Sequence, residues 1–105
     1  MNNKFNKTLK SLKEVLHDHP LVVEYLRYKD LVTNSREIND LEQRIKILQQ
    51  LMTQNISDEA LHHQYKTEYL DLKAKYDNHP YIINYNNLVT QLNDLLTELK
   101  TILDS

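Results

Sequence analysis

The chain has 105 residues, with 13 Lys and Arg against 15 Asp and Glu, and neither Gly nor Cys. That size bounds it to a single domain, 1–105, and the near-balanced charge gives no general electrostatic reason to bind nucleic acid or an anionic membrane. Without Cys there is no disulfide framework or thiolate site, and without Gly no phosphate-cradling loop and few routes to tight β-hairpins.

Apolar residues recur at helical spacing along nearly the whole sequence. Phe5, Leu9, Leu12 and Leu16 step by 4, 3 and 4 and predict a first helix over about 4–17. Lys4, Lys7, Lys10 and Lys13 make that helix basic. Such a helix can lie on a membrane or touch RNA phosphates, although a solvated Lys face over a packed Leu face is the plainer reading. Pro20 opens a second helix over about 20–33, with Leu21, Val22, Tyr25, Leu26 and Val32 toward a core. Around Ser35 two options stay open: a new helix capped by its hydroxyl, or one helix bending through.

The third helix, about 36–54, carries Ile38, Leu41, Ile45, Leu48 and Met52 in a 3-4-3-4 pattern, the seam of a coiled coil. Ser57 is the expected N-cap of a fourth helix running to 78, with Ile56 and Leu61 at the positions of a hydrophobic staple. Pro80 opens the fifth, about 80–103. Here Ile82, Tyr85, Val89, Leu92, Leu96, Leu99 and Leu103 form one row, and Tyr81, Leu88, Leu95 and Ile102 a second. Two rows make a stripe wide enough for more than one neighbour. The fold class is therefore all-α: an elongated antiparallel bundle of four to five helices with long C-terminal helices.

The segment HPLVVEY at 19–25 returns as HPYIINY at 79–85. Pro is favoured at the first position of a helix, and the residue before it is pushed out of the helical region. Both segments thus read as hard corners between consecutive helices, with Asp18 and Asn78 as candidate caps. Helices one and two resemble helices four and five at an offset of 60, either as a repeated hairpin or through shared periodicity.

His17, His19, His62, His63 and His79 are the candidate metal or acid–base residues. A helical chelate needs His side chains three or four apart. These lie two apart or adjacent, and no catalytic array assembles from them. An enzyme built on His62 or His63 is the weakest reading. Most of the seven Tyr residues fall on apolar stripes, where ring packing explains them better than base stacking. Rods this thin bury little of their own surface. The expectation is a homo-oligomer, most simply a two-fold dimer, whose surface comprises Tyr85, Leu88, Leu92, Leu95, Leu96, Leu99 and Ile102, together with Ile38, Leu41, Ile45 and Leu48. No run approaches the roughly 20 apolar residues of a membrane span, and the N-terminus lacks a signal peptide's core. A cytoplasmic location is expected.

The stretches HPLVVEYLRYKDLV, INDLEQRIKILQQLM and YDNHPYIINYNNLVTQLNDLLTELKTIL cover most of residues 12–103. In order and spacing they resemble the YlbF/YmcA family of small bacterial regulators. The resemblance implies an oligomeric all-α protein that regulates by protein contact. It also implies a role in a complex that modulates an endoribonuclease in mRNA maturation, in control of competence, sporulation and biofilm formation. Implied partners are a second copy, a paralogous helical protein or the RNA-processing enzyme, with no small-molecule substrate. Some members carry a Cys-rich tail linked to iron–sulfur clusters. Lacking Cys, this chain is expected to bind no cofactor.

Overall fold

A computed structural model describes residue 14 and residues 16–104. The first predicted helix, with its four Lys residues, falls almost wholly outside them. The described residues contain four helices and no strand: α1 Pro20–Asn34, α2 Arg36–Gln54, α3 Glu59–Asp77 and α4 Pro80–Asp104. The architecture is the elongated all-α one expected. The molecule measures 62 × 27 × 18 Å with a radius of gyration of 20.2 Å, whereas a compact domain of this length has about 13 Å.

The shape follows from how each helix ends. Ser35 sits in extended geometry between α1 and α2 (φ −78, ψ 115) and serves both. Its N–H donates to Val32 O at 3.3 Å, while its hydroxyl accepts from Ile38 N at 3.2 Å. The Asn39 amide strap to Thr33 O (3.0 Å) holds the joint from the other side. The option left open at Ser35 resolves as a capped break. After α2 the chain reverses: Asn55 closes that helix by donating Nδ2 to Leu51 O at 2.8 Å. Asp58 starts α3 by accepting from Leu61 N at 3.1 Å. The cap is thus Asp58 rather than the expected Ser57, because a carboxylate one residue later offers the stronger acceptor to the helix's orphan N–H groups. The one-residue slip also moves the staple positions, and Ile56 stays 67% exposed.

The reversal lays α3 antiparallel to α2. Arg44 grips Glu68 through two hydrogen bonds of 2.9 and 3.1 Å, and Tyr76 OH donates to Glu42 at 3.0 Å. Nearer the turn, His62 Nδ1–H donates to the Met52 carbonyl at 3.0 Å. Past the Asn78 corner α4 continues antiparallel to α1, with Tyr85 stacked on Tyr25 (5.6 Å) and Tyr81 edge-on to Tyr28 (6.4 Å). The described chain is in effect two broken rods side by side. A pair of rods shields one line of side chains. Among the described residues only Ile38, Ile45, Leu48 and Ile82 are buried, and no polar residue is.

Candidate functional site

The His-Pro segments form the corners that the Pro rule demands. His19 is extended (φ −64, ψ 133) and Pro20 occupies the first position of α1. The imidazole itself is the cap: His19 Nδ1 accepts from Leu21 N at 3.1 Å, and His79 Nδ1 accepts from Tyr81 N at 3.1 Å. Of the two candidate caps, Asn78 does cap, at the C-terminus of α3, while Asp18 does not. Asp18 contacts His17 instead at 3.3 Å, and Asn78 closes the end of α3, donating Nδ2 to Ala74 O at 2.8 Å. A signal for the histidine caps was available. The residue preceding a Pro at the first helical position is the N-cap by definition, and neutral imidazole has one acceptor nitrogen.

The repeat also places equivalent tyrosines together. Tyr25 and Tyr85, five residues beyond each Pro, stack at an interplanar angle of 26°. A hydrogen bond with Tyr25 holds the Tyr85 hydroxyl above its ordinary pKa of 10, with burial adding to the effect. Tyr76 is pushed up to about 12, first by burial and then by its hydrogen bond to Glu42.

The residues expected on an association surface divide. On α4, Tyr85, Leu88, Leu92, Leu95 and Leu99 are half-buried, while Leu96 is 49% and Ile102 63% exposed. Because Tyr81 and Tyr85 lie beside Tyr28 and Tyr25, the far half of this 25-residue helix runs past the start of the 15-residue α1. On α2, Leu41 is half-buried, but Ile38 and Leu48 are fully covered and Ile45 almost so. These three, expected in an interface, have little or no exposed surface in the single chain. Their seam is filled by the chain's own antiparallel partner, because the turn after Asn55 returns α3 along it.

His19 and His79 cap helix N-termini. His62 ties the α2–α3 turn together, and His63 is exposed. Among the described residues, no three His, Cys, Asp or Glu side chains are grouped to hold a metal ion. None of their helices is long and apolar enough to cross a membrane. An open cleft of about 600 Å³ lies where the Ser35 break and the His79 corner meet, between Arg27, Asp30, Glu37 and His79. Arg27 is engaged there, forked onto Glu24 at 2.8 and 3.2 Å and lying over the Tyr28 ring at 4.7 Å. That hydrogen-bonded fork holds the Glu24 carboxyl below its usual range.

The described residues form a thin all-α ribbon of jointed helices with a partly covered leucine stripe along α4. The chain belongs to the YlbF/YmcA family, described as control of competence regulator ComK, whose pattern matches residues 6–105. No curated protein and no solved structure matches it.

Proposed function

We propose that the chain is a non-enzymatic cytoplasmic adaptor that self-associates through α4 and presents polar helical faces to a protein partner. The partner class is the RNA-processing machinery: an endoribonuclease complex, reached directly or through a paralogous helical protein. The observation that carries this reading is the mismatch between core and stripe. Four described side chains are buried, while α4 leaves Leu96 49%, Ile102 63% and Leu103 44% exposed. Apolar surface of that extent on a soluble chain is stabilised by a second protein surface. Membership of a regulator family and the absence of a grouped catalytic constellation in the sequence fit the same reading.

The test replaces Leu92 and Leu96 by Glu and measures molar mass by light scattering. Two buried charges in an apolar contact cost on the order of several kcal/mol, enough to dissociate it. The expected result is a folded chain of lower mass. Retention of both fold and oligomeric size removes α4 as the association surface. Affinity purification from the native cell with mass spectrometry tests the partner, and recovery of an RNA-degradation enzyme is the expected outcome.

A further inference from the structure

We infer that the basic segment 4–13, outside the described residues, lies antiparallel along the far half of α4 in its own chain and covers the row of Leu92, Leu95 and Leu99. The inference goes beyond the reading above and does not depend on it. It rests on a matched pair of corners, on register and on charge.

The two His-Pro corners are built alike. His19 N–H donates to Leu16 O at 3.1 Å, and His79 N–H donates to Tyr76 O at 3.1 Å. Val23 N–H donates to His19 O at 3.0 Å, and Ile83 N–H donates to His79 O at 2.9 Å. Each imidazole then caps its helix at 3.1 Å. A corner of this kind does not make a hairpin. α3 packs against α2 and α4 against α1, with little contact between α3 and α4, so the chain runs onward through the His79 corner. The same bonds at His19 set the chain before α1 in line with α1, beside the part of α4 that α1 leaves uncovered. Residues 14, 16 and 17 are already helical there, and Leu16 is half-buried while Glu14, His17 and Asp18 are exposed. Leu95 and Leu99 are half-buried too, although they lie past the start of α1.

Register supplies the fit. Tyr25 stacks on Tyr85 across the antiparallel pair, which puts Pro20 level with Thr90. Residues 91–104 thus run past α1, and residues 4–17 are equal to them in number, each stretch about 21 Å long as helix. Carried on at that register, Leu16 falls level with Leu95, Leu12 with Leu99 and Leu9 with Ile102, each to within a residue. Leu9, Leu12 and Leu16 step by 3 and 4, as do Leu92, Leu95 and Leu99, which is the pattern of two helices sharing one seam. Leu96 and Leu103, in the adjoining row, are 49% and 44% exposed and stay open to a second copy. Charge agrees with the placement. Lys4, Lys7, Lys10 and Lys13 precede the first acid, Glu14, whereas the far half of α4 holds Asp94, Glu98 and Asp104 against Lys100. Lys13 falls level with Glu98 and Lys7 with Asp104, to within a residue. The last turn of α4 has no basic residue of its own, and a helix C-terminus favours cations.

The full-length chain has no Cys, so Lys7→Cys takes a single nitroxide label. Nitrogen-15-labelled chain bearing the nitroxide, diluted into excess unlabelled chain without it, reads contacts within one copy by nuclear magnetic resonance. Broadening of the amides from Glu98 to Asp104 is expected, with those from Arg44 to Leu48 unaffected. The reverse sample, nitrogen-15-labelled chain without the nitroxide mixed with unlabelled chain bearing it, reads contacts between copies and is expected to show weaker broadening at the same amides. Adding Leu9→Glu and Leu12→Glu to the labelled chain keeps the tether but removes the apolar steps, and the broadening is expected to be lost. Broadening that is equal or stronger between copies, absent from both samples, or unchanged by the two Glu substitutions overturns the inference.

Discussion

Removing the side chain of Leu48 is the sharpest probe of the chain's own core. Leu48 is fully buried between α2 and α3, in a molecule only 18 Å across its shortest dimension. Leu→Ala at a buried site costs about 2–5 kcal/mol, with the lower half applying where neighbours can collapse into the space. A two-rod ribbon has solvent on both faces, so its helices can close in, and a loss of about 2–3 kcal/mol is expected for Leu48→Ala. Urea unfolding followed by circular dichroism reads this as a fall of about 2 M in the midpoint, at the slope usual for chains of this size. Leu70, 54% exposed on α3, is the control, and its Ala variant should change stability by no more than about 0.5 kcal/mol. The Leu48 effect should also be the same at tenfold different protein concentrations, because the site is covered by its own chain. A Leu48→Ala change as small as that of Leu70→Ala, or one that grows on dilution, refutes the assignment of the α2 seam to the intramolecular core.

Three further outcomes follow from the helix ends and the one strongly shifted tyrosine. Ser35→Ala removes the hydroxyl that starts α2 and should cost about 1 kcal/mol in thermal or urea unfolding; no change would mean that the break does not depend on its cap. Asp58→Ala should destabilise the chain by a similar amount while Ser57→Ala does not, a direct comparison of the observed cap with the expected one. Tyr76 has its folded pKa raised from 10.0 to about 12. Its contribution to stability is therefore complete below pH 10 and lost as pH rises toward 12. Tyr76→Phe should flatten that alkaline decline, and an unaltered decline in the variant would assign it to another group.

The helical character of the chain was plain in the sequence because the 3-4 spacing of Ile38, Leu41, Ile45 and Leu48, or of Leu92, Leu96, Leu99 and Leu103, has one structural meaning. The His-Pro corners were equally legible, since Pro constrains both itself and its predecessor. Less legible was which surface meets which. A coiled-coil seam looks the same whether its partner is another copy or the next helix in the chain, and only the short turn from Asn55 to Asp58 decides that α3 folds back onto α2. The caps were misplaced for a related reason. Ser, Asp and Asn are the usual candidates, so Ser57 and Asp18 drew attention while Asp58 and the two imidazoles cap the helix N-termini. The α4 stripe lies between these cases. Its apolar rows were visible, but its partial cover by α1 depends on the lengths and register of two helices sixty residues apart.

The central claim is that the α4 stripe joins copies of the chain. Sedimentation velocity of the intact protein across the micromolar range tests it most directly. The account predicts a species whose mass is a multiple of 12.6 kDa and which Leu92→Glu/Leu96→Glu reduces to the single chain. A well-folded 12.6 kDa species that persists throughout that range contradicts it.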